Sequence, residues 1–174
     1  DPEAVRRFCD LKSADRGGMM FQPVAGLYGQ VSEIDFTSLY PSIIVRYNLS
    51  PETLTHPDRR GFLPQVLGPL LLLRRETKAR KAADPAYAGI DAILKWMLVT
   101  CFGYTGYKNA KFGQIEVHEK ITWHAREILL KTKECAEEMG FDVLHGIVDC
   151  LWVQGGPAGA LKARIEQVTG LHTT

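Results

Sequence analysis

Two long helical patterns separated by Asp84-Pro85 constrain this chain more than any other feature. Residues 63–83 are helical in pattern and basic, with Arg74, Arg75, Lys78, Arg80 and Lys81. Asp84 followed by Pro85 has the chemistry of a helix start: a side-chain oxygen for orphan N–H groups, then a ring that presets φ in the first turn. A second helix is expected from there to about residue 102, ended by Gly103 and Gly106. Two long helices joined by so tight a turn fold back as a hairpin.

The flanking segments supply a sheet. Residues 31–36 predict a strand, and residues 38–47 a helix with Pro41 in its first turn. Residues 48–61 hold two prolines and are expected as a loop, and 108–113 as a turn. A third long helix is expected over 117–139, with Gly140 suited to the position after its end. Residues 141–153 predict two short strands around a turn at 146–149, and 158–168 a last helix. Residues 1–29 mix turn signals with short apolar stretches, with a loop at Gly17-Gly18. The fold class is therefore α+β: a small antiparallel sheet backed by helices, with a helical hairpin inserted.

Composition sets outer limits. Of 174 residues, 45% are apolar and 24% charged, which suits a packed core and argues against disorder. A net charge of +1 leaves any nucleic-acid footprint local. Cys9, Cys101, Cys135 and Cys150 lack metal-ligand spacing, as expected of free thiols in a reducing cytosol. No apolar run approaches the roughly 20 residues of a membrane span, so no membrane partner is expected. Both ends look cut, so a fragment of a larger cytoplasmic protein is expected.

Three places could carry chemistry. Asp35 ends a strand in Asp35-Phe36-Thr37-Ser38-Leu39-Tyr40-Pro41-Ser42-Ile43. A carboxylate there can hold a hard cation, and the helix N-terminus behind it attracts phosphate; as a lone feature it equally suits a turn residue or cap. Arg74 and Lys78 share a helix face, and Lys95 across the hairpin could complete a cationic clamp; a solvated face is the alternative. Asp149 sits in the otherwise apolar run Gly146-Ile147-Val148-Asp149-Cys150-Leu151-Trp152, exposed by a turn or offset by a ligand. His118, His124 and His145 lack ligand spacing and are expected at the surface or in packing. Trp96, Trp123 and Trp152 are expected in the core.

Together these pieces resemble family B DNA polymerases. Asp35 to Ile43 matches every fixed position of that family's motif A, Asp-x-x-Ser-Leu-Tyr-Pro-Ser-Ile. The flanks Gly26-Leu27-Tyr28 and Asn48-Leu49-Ser50-Pro51-Glu52-Thr53-Leu54 are similar to archaeal members. The run Lys95-Trp96-Met97-Leu98-Val99-Thr100-Cys101-Phe102-Gly103-Tyr104-Thr105-Gly106-Tyr107 resembles motif B, and residues 145–151 lie where motif C belongs. The resemblance implies a polymerase palm in two parts, 1–61 and 108–174, with a fingers hairpin over 62–107, lacking exonuclease and thumb domains. It makes Asp35 and Asp149 catalytic metal ligands, with the Phe36 carbonyl beside them, for two Mg²⁺ or Mn²⁺ ions. Ser38 and Leu39 would offer N–H groups to the triphosphate, and Tyr40 would pack under the sugar and exclude a 2′-OH. Arg74, Lys78 and Lys95 would hold the β- and γ-phosphates, and Phe102 and Gly103 would lie against the nascent base pair. Primer–template DNA and a deoxynucleoside triphosphate are the implied partners.

The chain departs from the family where motif C usually reads Asp-Thr-Asp. Here Ile147-Val148-Asp149 stands, so the first carboxylate is missing. In motif B, Val99, Thr100 and Phe102 replace the usual Asn, Ser and Tyr. Two readings follow. One is a DNA-directed DNA polymerase, weakened at motif C, because Asp35, Tyr40, Lys95 and Asp149 are kept. The other is an inactivated paralogue that binds DNA or a protein partner, favoured by Ile147 and Val99.

Overall fold

The structure is a computed structural model that describes residues 9, 10, 13 and 15–174. In chain order it contains β1 (Met20–Phe21), β2 (Ser32–Asp35), α1 (Leu39–Arg46), a 3-10 turn (Pro51–Leu54), α2 (Phe62–Arg80) and α3 (Ala86–Thr105). Then come α4 (Ile115–Glu138), β3 (Asp142–Ile147), β4 (Cys150–Gln154) and α5 (Ala158–Thr169). The architecture is the expected α+β, with one four-stranded antiparallel sheet among the described residues. Of the 1–29 stretch, residues 1–8, 11, 12 and 14 lie outside the described residues. The chain divides into two compact units, residues 1–16 with 40–122 and residues 17–39 with 123–174.

The second unit holds the sheet, in the order β1-β3-β4-β2. Side chains alternate across a strand, so pairing fixes which residues share a face. Ile34 pairs with Leu151 and Ser32 with Val153, and this face is buried core. Leu161 and Ile165 of α5 and Ala125, Ile128 and Leu129 of α4 are the buried stripes of the unit's helices. The opposite face carries the rows Glu33–Trp152–His145 and Asp35–Cys150–Ile147. A bulge between Val143 and His145 takes up one residue of β3. The outer edge of β2 is covered by residues 172–174: Phe36 bridges Thr173, and the Thr37 N–H donates to the His172 carbonyl at 2.9 Å.

The first unit is built on the α2–α3 hairpin. Leu63, Leu67 and Leu71 of α2 and Leu94 and Leu98 of α3 are buried along it. Asp84 behaves as its position suggests, accepting the Ala86 N–H at 2.9 Å, while Pro85 occupies the cap itself rather than the first turn. Gly103 does not end α3. The helix runs on to Thr105, and Gly106 caps it with its N–H directed at the Gly103 and Tyr104 carbonyls. An interior glycine costs a helix only about 1 kcal/mol, too little to stop it here.

Two other expectations are corrected. Trp96 is 74% and Trp123 48% exposed, and Trp152 lies on the open sheet face, stacked on His145 at 4.9 Å. The buried stripe of α3 consists of Asp91, Leu94, Leu98 and Thr105, and Trp96 falls off it. By length and composition alone α3 is also apolar enough to cross a membrane, with a mean hydropathy of 1.2, contrary to the reading that no run approaches this. One such helix is weak evidence, and this one carries a buried, ion-paired Asp91.

Candidate functional site

Asp35 and Asp149 are far apart in sequence, yet the sheet sets them at neighbouring backbone positions. Asp35 is the Cα partner of Cys150, the residue after Asp149, and the Phe36 N–H donates to the Asp149 carbonyl at 2.8 Å. The Asp35 backbone is held on its other side by Thr174, through bonds of 3.0 Å and 2.8 Å. Phe36 is 2% exposed, so its ring anchors the strand end while its backbone continues past the carboxylate. Asp35 and Asp149 are both half-buried.

Asp149 owes its position to a strained turn. The Asp149 N–H donates to the Ile147 carbonyl at 2.6 Å, and Val148 between them has φ of 53°. This is a γ-turn, a rare connection, centred on a β-branched residue that seldom enters the left-handed region. The Val148 N–H is tied to the Met19 carbonyl at 2.9 Å. Ser38, just before α1, has φ of 55°. Such residues cost of order 1–3 kcal/mol each and cluster at functional sites. Of the four non-glycine residues with positive φ among the described residues, Ser38 and Val148 lie in the same two segments as the two aspartates, and Gln30 and Asn48 lie elsewhere.

Cys150 reports the local field. Burial first, then the negative charges of Asp149, Glu33 and Asp35, push its thiol up to about 11. The shift favours the neutral thiol, which donates to the Ile147 carbonyl at 3.4 Å. Its three acidic neighbours make this edge of the sheet electronegative. Carboxylate oxygens on a solvent-reachable face are the donors a hard divalent cation takes. The donor set fits such an ion but is sparse: among the described residues no group of three or more His, Cys, Asp or Glu could hold a metal. Ile147 stands in the row with Asp35 and Cys150, 36% exposed.

The first unit brings together another set of candidates. The Tyr40 ring stacks on Phe102 with centroids 3.9 Å apart and planes at 18°, and Phe102 stacks on His118 at 4.5 Å and 17°. Gly103, one residue on, is exposed, and a Cβ added there would meet nothing within 4 Å. Its lack of a side chain is not demanded by packing within the chain. Leu39, in contrast, is 3% exposed and contributes to core.

The three cations are placed differently from one another. Arg74 is buried, with Nε 3.4 Å from Asp91 Oδ1, an ion pair whose angles fall short of a hydrogen bond. Lys81 closes on Asp91 Oδ2 at 2.7 Å. Lys78 is half-buried one turn beyond Arg74, and Lys95 is exposed one turn beyond Asp91. The sequence reading does not single out Asp91, and it takes Lys81 only as part of the basic run and His118 only as a surface or packing residue. Asp91 carried a signal, as a lone carboxylate in an apolar helix opposite a basic one; His118 carried none.

The chain belongs to DNA polymerase family B. The sequence model of that family matches residues 8–60, the segment that contains Asp35 to Ile43. The chain is 39% identical over 182 residues to DNA polymerase 2 of Saccharolobus solfataricus, covering 98% of this chain and 28% of the relative. It is 30% identical to the DNA polymerase of Thermococcus sp. (strain 9oN-7), covering 87% and 23%. Among solved structures it matches the family B DNA polymerase of Pyrobaculum calidifontis with a TM-score of 0.73 at 29% identity, over 100% of this chain and 26% of that one. The chain thus spans about a quarter of the length of these relatives.

Proposed function

We propose that the full-length protein is a DNA-directed DNA polymerase, transferring deoxynucleotides to a primer 3′-OH under the direction of a template. The observation that carries this reading is the pairing of Asp35 with Cys150, which sets Asp149 beside the backbone of Phe36. Residues 1–61 and 108–174 are read as palm and 62–107 as fingers, with exonuclease and thumb domains as intramolecular partners. Asp35, Asp149 and the Phe36 carbonyl hold the divalent cations, Mg²⁺ or Mn²⁺. Bound there, such a pair activates the primer hydroxyl and offsets the charge of the transferred phosphoryl group.

The remaining roles are positional. The N–H groups of Ser38 and Leu39, at the start of α1, receive triphosphate oxygens, as helix N-termini do. Tyr40 packs against the sugar and leaves no room for a 2′-OH. Lys78 and Lys95 take the β- and γ-phosphates, while Arg74, buried against Asp91, braces the hairpin that carries them; Phe102 with the open Gly103 lies against the nascent base pair. Phosphoryl transfer asks little covalent chemistry of the protein, so positioning and electrostatics carry most of the rate.

A second reading, an inactivated paralogue that binds DNA or a protein partner, is favoured by Val99 and by Ile147, which stands in the row of Asp35 and Cys150. Primer extension by the full-length protein in Mg²⁺ and in Mn²⁺ separates the two. Extension that falls at least about a hundredfold in Asp35→Asn and Asp149→Asn, the scale of several kcal/mol, supports the polymerase. Binding of primer–template with no extension under either cation supports the paralogue.

A further inference from the structure

We infer that His118 is a positioning residue for Tyr40, acting through Phe102, and that it sets how strongly the protein prefers deoxyribonucleoside over ribonucleoside triphosphates. The inference rests on the reading of Tyr40 as the sugar contact. Three rings from three helices form one nearly parallel stack, Tyr40 on Phe102 and Phe102 on His118. Phe102 is the middle ring, so it cannot tilt without moving both neighbours. Tyr40 and His118 cover the two faces of Phe102, so the set of the His118 ring is passed through Phe102 to Tyr40.

The His118 ring is fixed. His118 Nδ1 lies 3.0 Å from Thr105 Oγ1, and Nε2 lies 3.5 Å from Asp15 Oδ2. Contacts at both ring nitrogens define the plane of an imidazole, as one contact does not. Thr105 is itself locked: it is 1% exposed, and its hydroxyl donates to the Phe102 carbonyl at 2.6 Å. The same threonine therefore ties His118 to the backbone of the residue its ring covers. Gly106 makes the room, since a Cβ there would stand 3.0–3.1 Å from three atoms of the His118 ring. Phe102 has no hydroxyl with which to orient itself, so the stack on either side is what holds it.

The test uses the full-length protein and its His118→Ala, His118→Gln and His118→Phe variants. kcat/KM is measured for single insertion of deoxy- and ribonucleotides, with equilibrium binding of both triphosphates to the primer–template complex. His118→Ala should shrink the deoxy-to-ribo ratio about tenfold, chiefly by raising ribonucleotide insertion. His118→Gln keeps polar contacts without a ring and should behave like Ala, also serving if Ala does not fold. His118→Phe restores the ring and should recover most of the ratio. Rates that fall equally for both sugars, or a ratio unchanged in Ala and Gln, overturn the inference while leaving the polymerase reading intact. A protein that binds both triphosphates without extending, and whose sugar preference in binding is lost in His118→Ala, overturns the polymerase reading and upholds this one. A protein that binds neither overturns both.

Discussion

Arg74 and Asp91 meet across the α2–α3 hairpin, Nε to Oδ1 at 3.4 Å, with neither side chain more than 10% exposed. Burial alone would push the Asp91 carboxyl up. The hydrogen bond and charge of Lys81, joined by the charge of Arg74, outweigh it and hold the carboxyl below its usual range. A folded-state pKa below the unfolded one contributes stability above about pH 4, and that contribution is lost as pH falls through the lower folded value. Asp91→Asn should therefore cost up to about 3 kcal/mol at pH 7, because a buried guanidinium loses this counter-charge. Urea unfolding from pH 7 to pH 2 checks it: the two proteins should converge in acid, and a constant gap would contradict the electrostatic account.

Ile147 is placed on the open sheet face rather than in core, at 36% exposure. A carboxylate there escapes the burial penalty a core position would impose. Ile147→Asp should change stability by less than about 1 kcal/mol, and Mg²⁺ should raise its melting temperature more than that of the parent. On the polymerase reading, extension at limiting Mg²⁺ should rise, and the gain should shrink at saturating Mn²⁺, which binds mixed N/O ligand sets more tightly. Thermal melting and primer extension on one preparation decide this. A stable but inert variant would direct attention to Val99.

Lys95 is exposed on α3, four residues after Asp91. Truncation should leave stability within about 0.5 kcal/mol, the usual range for surface sites. Lys95→Ala should nevertheless weaken triphosphate binding by roughly 1.5–3 kcal/mol, the scale of a charge-assisted hydrogen bond. Nucleotide titration of the primer–template complex, read beside a melting curve, distinguishes a ligand contact from a solvated charge.

The parts of the fold that could be read from the sequence are those whose signals are local. Asp84 capping Ala86, the helical spacing of Leu63, Leu67 and Leu71, and the alternation around Ile34 and Leu151 each act within a few residues. β1 has no local signal, because Met20 and Phe21 become a strand only by pairing with Ile147 and Gly146. Residues 172–174 likewise owe their extended pairing to Asp35 and Thr37. At the candidate site, Asp35 and Asp149 stood out as carboxylates among apolar residues, but the ring stack did not. Tyr40, Phe102 and His118 come from three helices, and no spacing rule links them. The basic face of α2 was legible as charge, but not the fact that Arg74 turns inward to Asp91.

The alternation of the sheet makes its chemistry a matter of odd and even. Shifting β2 by one residue against β4 would carry Asp35 inward beside Leu151 and turn Ile34 out, exchanging acid for hydrocarbon without altering composition. Insertions of two residues in such a strand leave the assignment of faces unchanged; insertions of one reverse it. The bulge between Val143 and His145 is where β3 takes up its odd residue, upstream of Gly146 and Ile147. Past that point β3, β4 and β2 keep step, and the two-residue connection at Val148 and Asp149 has no slack to absorb a miscount. Length variation that spares this arrangement belongs instead to the far end of β4, where Gly155, Gly156 and Pro157 separate it from α5.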